Sequence, residues 1–357
     1  MKVALIGLGQ AGGKVAQALR DTDEKAGYGA IRGTLAVNTA SADLEPLSVE
    51  TLLIGQERVS GHGVGADNEL GASIMQNDVQ EVMTALDGVI DPATEAIVLV
   101  AALGGGTGSG GAPVLARELR RVYEIPVYGL GILPGRDEGA IYQANAGRSL
   151  KTFVNESDAL ILVDNDAWRS SGETVSESFE SINETIARRI SLLLAAGENV
   201  EGVGEAVVDS SEVINTLRTG GMAAIGYASA EASPDAEDNI NVVTSTARRA
   251  MMTQMSLPET TVADAGLVIV AGEPDRISRK GVERARKWIE EEAQSMQVRG
   301  GDFPLETDRL AVVILLSGIA GSPRLEEFMD RAAEASKTID REDPVDAFDT
   351  DELEDLM

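Results

Sequence analysis

Apolar residues fall along this chain in two rhythms. Through the first half, short unbroken runs recur: Lys2–Ile6, Gly33–Asn38, Ile97–Ala102, Pro126–Leu133 and Ala159–Val163. Unbroken rather than alternating runs predict strands covered on both faces, as in a parallel sheet. Helical spacing lies between them, over Gln10–Arg20, Leu70–Leu86 and Ala112–Val122. That alternation predicts a doubly wound α/β unit. Ser178–Ala196 reads as one long helix, because Ile182, Ile186, Ile190 and Leu193 recur at spacings of four and three. The remainder offers fewer elements. Strands are expected near Met222–Ala228, Leu267–Ala271 and Leu310–Leu316, and helices near Asn241–Met252, Lys280–Met296 and Pro323–Ala335. The expected organisation is α/β: a doubly wound, mostly parallel domain over 1–177, a central connecting helix over 178–198, a smaller α+β domain over 199–338 and an acidic disordered tail over 339–357.

Composition narrows the chemistry. The 357 residues suit two domains with a large core. There is no Cys, which excludes disulfides, thiolate metal sites and Cys nucleophiles. A single His, His62, excludes a two-His zinc motif. The longest wholly apolar run, Ala96–Leu103, is far short of the roughly 20 residues that span a bilayer. The opening MKVALIGLGQ turns glycine-rich too soon for a signal-peptide core. A soluble cytoplasmic protein without membrane insertion is therefore expected.

Charge changes the picture more. There are 59 acids against 30 bases, a net of −29. Such a chain repels itself in dilute buffer, whereas molar salt shortens the Debye length to about 3 Å. The expectation is a halophilic protein. No basic stripe exists to displace counterions from a nucleic acid, so no nucleic-acid partner is expected. Asp340–Met357 carries nine acids and one base, punctuated by Phe348, Leu353, Leu356 and Met357. It reads either as a solvated end or as a short motif for a protein partner.

Two glycine clusters could carry chemistry. Gly7-Leu8-Gly9-Gln10-Ala11-Gly12 follows a strand and opens a helix. Glycines there let backbone approach a phosphate at a helix N-terminus. A dinucleotide site would need an acid at the end of the second strand, where the chain has Val37-Asn38-Thr39 instead. Gly13-Lys14-Val15 lacks the Ser or Thr that closes a P-loop. The second cluster, Gly104-Gly105-Gly106-Thr107-Gly108-Ser109-Gly110, follows the strand Ile97–Ala102. So much glycine is costly in chain entropy for a simple turn. It suits a loop whose N–H groups wrap an anion, with the Thr107 and Ser109 hydroxyls assisting. No Lys or Arg lies in that loop, so main-chain dipoles and Mg²⁺ would have to meet the phosphate charge.

The run at 104–110 resembles the signature of the tubulin and FtsZ superfamily, and the resemblance extends over roughly residues 1–338. The acidic composition makes the chain look most like the haloarchaeal CetZ branch. The resemblance implies a GTPase that binds GTP or GDP with Mg²⁺ and assembles head to tail into cytoskeletal filaments, with a role in cell shape. It implies nucleotide contacts from Gly9, Gln10, Ala11 and Gly12 in a first loop, Asn38 in a second, Ala66, Asp67 and Asn68 in a third that senses the γ-phosphate, and Gly104, Gly105, Gly106, Thr107, Gly108, Ser109 and Gly110 in a fourth. Glu138 would face the ribose, Asn165 the guanine, Phe179 would stack on the base and Asn183 would bond its edge. Tyr142 stands where FtsZ has an arginine. No residue is assigned as a direct metal ligand.

Asp209 and Glu212, in Val207-Val208-Asp209-Ser210-Ser211-Glu212, resemble the family's catalytic loop, which enters the nucleotide pocket of the next subunit. A bland reading of the same pair is a helix N-cap with its capping-box partner. The alternative function is a Rossmann-type NAD-dependent oxidoreductase, resting on residues 7–12. His62 is expected to be a surface loop residue and Trp168 and Trp288 packing residues. Met251, Met252 and Met255 should fill a core or subunit contact. Arg188-Arg189 and Arg248-Arg249 are expected on solvated helix faces, paired with acids.

Overall fold

A computed structural model describes residues 1–168, 175–196, 208–260 and 262–341. The tail beyond 341 lies outside the described residues. Ten strands are described: β1 Val3–Leu8, β2 Ile31–Asn38, β3 Glu50–Leu53, β4 Ala96–Ala102, β5 Val127–Leu133, β6 Ala159–Asp164, β7 Met222–Glu231, β8 Val262–Gly272, β9 Val298–Pro304 and β10 Arg309–Gly321. The helices are α1 Gly9–Ala26, α2 Ser41–Leu44, α3 Gln56–Val59, α4 Asn68–Leu86, α5 Thr107–Val122, α6 Ala140–Glu156, α7 Val175–Ala195, α8 Ser210–Leu217, α9 Ile240–Thr253, α10 Arg279–Glu292 and α11 Pro323–Arg341.

The strands form a single sheet in the order β3-β2-β1-β4-β5-β6-β7-β10-β8-β9. β1 to β6 are all parallel. β10 runs antiparallel to both β7 and β8, and β9 returns parallel to β8. The two halves meet at β6 and β7 through only two residue pairs, Leu160↔Met222 and Ile161↔Ala223. The expected contrast between a parallel first half and a mixed second half is therefore present within one continuous sheet.

The unbroken apolar strands explain the layering. Successive side chains point to opposite faces, so in β1 Val3 and Leu5 enter one core while Ala4, Ile6 and Leu8 enter the other. The first core lies beneath α1, α7 and α8, and the predicted stripe of α7 is in it: Ile182, Ile186, Ile190 and Leu193 are all buried. The second lies beneath α4, α5, α6, α9, α10 and α11. Both cores cross from one half of the chain into the other.

Several boundaries depart from expectation. α5 starts at Thr107 rather than Ala112, so half of the second glycine cluster is helix. The helix α6 and the edge strands β3 and β9 were not anticipated. α11 runs to Arg341, so residues 339–341, assigned to the tail, are helical. Met251 and Met255 are buried but Met252 is exposed.

Candidate nucleotide site

A cleft of about 420 Å³ opens at the carboxyl ends of β1, β2, β4, β5 and β6. In an open α/β sheet this is where ligands bind. The first turns of α1 and α5 both point into it, and neither has a side chain capping its N-terminus. Their free N–H groups and dipoles make that wall attractive to anions.

The predicted residues converge there to a large degree. Gly9, Gln10, Ala11, Asn38, Ala66, Gly104, Gly105, Gly106, Thr107, Gly108, Glu138, Asn165, Phe179 and Asn183 all line the cleft. Phe179 is 37% exposed, so its ring has an open face.

Gly12, Asp67, Asn68, Ser109 and Gly110 do not line the cleft. A Cβ on Gly12 would collide with the Val100 carbonyl, and one on Gly110 with the Asn68 carbonyl. These two glycines permit close backbone packing, of α1 on β4 and of α5 on α4. Asp67 caps α4, its carboxylate accepting from the Leu70 N–H at 2.8 Å. The Ser109 hydroxyl donates back to the Gly105 carbonyl of the glycine loop.

Other residues that build the site had no signal in spacing. Asp43 accepts from Gln10 Nε2 at 2.9 Å and Asn38 Nδ2 at 3.0 Å, holding the first and second loops together. Asn145 of α6 donates to the Ala66 carbonyl at 2.7 Å and the Gly104 carbonyl at 3.1 Å, joining the third and fourth. The Thr107 and Thr39 hydroxyls share a bond of 2.7 Å. Ala66 sits at φ 66°, a left-handed conformation that costs a non-glycine residue energy. Lys14 reaches the cleft from α1, supplying a cation that the glycine loop itself lacks. His62, exposed as expected, lines the cleft too.

For Mg²⁺ the donor set is open rather than a cage. No group of three His or acidic side chains that could hold a metal ion occurs among the described residues. Thr107 and Asp43 line the cleft and offer oxygen donors, which suits an ion carried in on phosphate oxygens, the usual mode for Mg²⁺.

Asp209 and Glu212 lie at the other end of the sheet. Ser210 Oγ donates to Glu95 at 2.9 Å, and Glu95 also accepts from the Lys2 N–H at 2.7 Å. Lys2 and Glu95 precede β1 and β4, at the amino ends of the parallel strands. The cleft is at their carboxyl ends, ~20 Å away at about 3.3 Å per residue. Asp209 caps α8, accepting from the Glu212 N–H at 3.1 Å. Its carboxyl is held below the ordinary range, chiefly by the Ser211 hydroxyl at 2.5 Å. Half-buried Glu212 is pushed the other way, first by burial and then by Asp209, with Arg299 opposing.

One of the four arginines departs from the expected solvated faces. Arg189 is buried; its guanidinium lies 4.0 Å over the Trp168 ring and donates to the Gln254 carbonyl at 2.7 Å. Burial lowers its pKa to about 10. Arg248 stacks on Trp288 at 5.4 Å, and Arg249 donates to the Ser229 carbonyl. Stacking and backbone bonds hold these three. Arg188, Arg248 and Arg249 are exposed as foreseen.

Comparison with known proteins decides the family. Residues 2–173 match the GTPase domain of the tubulin/FtsZ family, and residues 172–334 match the C-terminal domain of tubulin-like CetZ. The chain is 64% identical to tubulin-like protein CetZ2 of Haloferax volcanii, over 100% of both chains. The chain belongs to the tubulin/FtsZ family. Within it, CetZ1 of the same organism is 48% identical over 95% of this chain and 94% of its own. A solved structure described as a GTPγS-bound protofilament of Haloferax volcanii CetZ2 superposes with a TM-score of 0.92, covering 95% of this chain and all of that one. An FtsZ dimer of M. jannaschii, 20% identical, shares the fold with a TM-score of 0.72 over 89% of this chain and 88% of its own. The family is that of cytoskeletal GTPases, and the oxidoreductase alternative is not favoured.

Proposed function

We propose that this protein binds GTP with Mg²⁺ in the cleft and hydrolyses it only when a second copy stacks against it, head to tail, in a filament. The observation that carries the reading is the separation of the half-sites. Asp209 and Glu212 sit ~20 Å from the cleft along the strands, so one copy cannot bring its carboxylates to its own nucleotide. A copy displaced along the strand direction can. Such a heterologous contact does not close, and it generates a filament. The relative described as a GTPγS-bound protofilament supports it.

In this reading the glycine loops and Lys14 hold the triphosphate, and Thr39 keeps the Thr107 hydroxyl aimed at it. Phe179 and Asn183 receive the base, Asn165 reads guanine and Glu138 faces the ribose. Mg²⁺, when bound, would neutralise phosphate charge. From the neighbour, Glu212 takes a proton from the attacking water while Asp209 orients it in line with the γ-phosphate. Loss of the γ-phosphate removes contacts at the interface and loosens the filament. A cytoplasmic location, a part in cell shape and a protein partner for the acidic tail belong to the same reading.

Sedimentation with and without GTP in molar KCl, with phosphate release followed alongside, tests it. Turnover per subunit should rise with protein concentration. Glu212→Ala should slow GTP loss at least about tenfold, as removal of a general base does, with GTP affinity unchanged. Turnover independent of concentration would remove the neighbour from the mechanism.

A further inference from the structure

Helix α11, from the C-terminal half, begins beside the guanine end of the cleft. Arg324 lies in its first turn and is 7% exposed. Its Nε and Nη2 grip Asp164 at 2.5 and 3.3 Å, and Nη2 also donates to Asp166 at 2.7 Å. Nη1 reaches Glu327 at 3.2 Å. Arg324 thus joins both aspartates that flank Asn165.

Each aspartate fixes a loop. Asp164 ends β6 and accepts the Asp166 N–H at 3.0 Å, which shapes the turn holding Asn165. Asp166 accepts the Arg136 N–H at 3.0 Å, tying down the loop that holds Glu138. Across the gap Asn165 Nδ2 donates to Glu138 Oε1 at 3.4 Å, and the Gly135 N–H donates to the same oxygen at 2.7 Å. Asn165 and Glu138 line the cleft; Arg324 does not. Removing the guanidinium would leave two neighbouring carboxylates, one of them only 2% exposed, to repel each other beneath the base.

We infer that Arg324 is a positioning residue for nucleotide selectivity: it sets Asn165 and Glu138 through Asp164 and Asp166, so guanine recognition depends on α11 being seated on the N-terminal half. The inference rests on the cleft being a GTP site. The planar fork matters, because a lysine carries the charge but cannot engage two carboxylates bidentately. Glu327 is a peripheral branch. It pairs with Arg136 at 2.7 Å and Arg331 at 3.0 Å on the surface, and neither aspartate depends on it.

The test is the ratio of GTP to ATP affinity, by competition against a fluorescent GTP analogue in molar KCl, with folding checked by near-UV circular dichroism. Arg324→Met should weaken GTP about tenfold, the loss expected when a charge-assisted hydrogen-bond frame is removed, and ATP, which shares only the ribose contact of Glu138, by clearly less. Arg324→Lys should recover only a minor part, and Glu327→Gln should keep the wild-type ratio. If Arg324→Met does not fold, Asp166→Asn takes its place with the same expected collapse of the ratio. An unchanged ratio in a folded variant, full rescue by Lys, or an equal loss in Glu327→Gln would overturn the inference. A wild-type protein that does not prefer GTP would instead bring down the proposed function.

Discussion

Burial and a neighbouring negative charge act in the same direction on Glu212, while on Asp209 hydrogen bonds, first that from the Ser211 hydroxyl, outweigh burial. Two carboxylates three residues apart are thereby pushed to opposite sides of the ordinary range, the arrangement that separates a base from a permanently charged partner. The sign of the pH effect follows. A carboxyl with a raised pKa stays protonated where ordinary carboxylates are already ionised, and a protonated Glu212 cannot accept a proton from water. Under the proposed mechanism turnover should therefore climb with pH through that raised value. Asp209→Asn removes one of the two causes, so its acid limb should move to lower pH while its maximum falls. Loss of fold would not mimic this limb. In the same window the folded state binds more protons than the unfolded one, so this group lowers stability as pH rises. A limb that stays put in Asp209→Asn would show that the two carboxylates do not interact.

Helix α7 carries Phe179 and Asn183 at the cleft and Arg189 further along, clamped to the C-terminal half. Arg189 stacks on Trp168 and Tyr227 and donates to both oxygens of Gln254. Arg189→Leu removes two charge-assisted bonds and the stacking, and should cost about 2–3 kcal/mol. Arg188→Leu, on the exposed face, should stay within about 0.5 kcal/mol. Denaturant midpoints at fixed KCl measure both. Helical period made α7 legible from the chain alone, yet it set Arg189 beside Arg188 on the solvent side. Period ranks positions by hydrophobicity, and the ring, the amide and the carbonyl that satisfy Arg189 are supplied by distant segments. The same limit hid Asp43 and Asn145, single polar residues with no spacing to betray them. The glycine loops were legible because glycine marks its own backbone requirement, but glycines that admit a phosphate look identical to Gly12 and Gly110, which admit a neighbouring element. β9 reads Val-Arg-Gly-Gly-Asp-Phe-Pro, poor strand chemistry that an edge position tolerates. α6 was missed for its small residues, such as Gly147 packed against Ala332 of α11.

Net charge acts on both the fold and its assembly, and the two should separate with salt. A charge of −29 on one chain opposes compaction. Stacking two copies end to end brings two such charges together, so assembly meets the repulsion again. Screening relieves both, since the Debye length falls from about 10 Å at 0.1 M to about 3 Å at 1 M. The contacts within the chain are held by two large apolar cores. A stacking interface forms between two copies that have each already buried those cores. Melting midpoints should therefore rise steeply with KCl and level off first. The GTP-dependent sedimentable fraction should appear only at higher salt, and NaCl should shift both curves about equally if screening is the cause. A protein that stays folded after dialysis into dilute buffer would show that its acidic surface is not what limits stability. A polymer that forms at the salt where folding is half complete would show that the interface carries enough opposite-sign pairing to offset the repulsion.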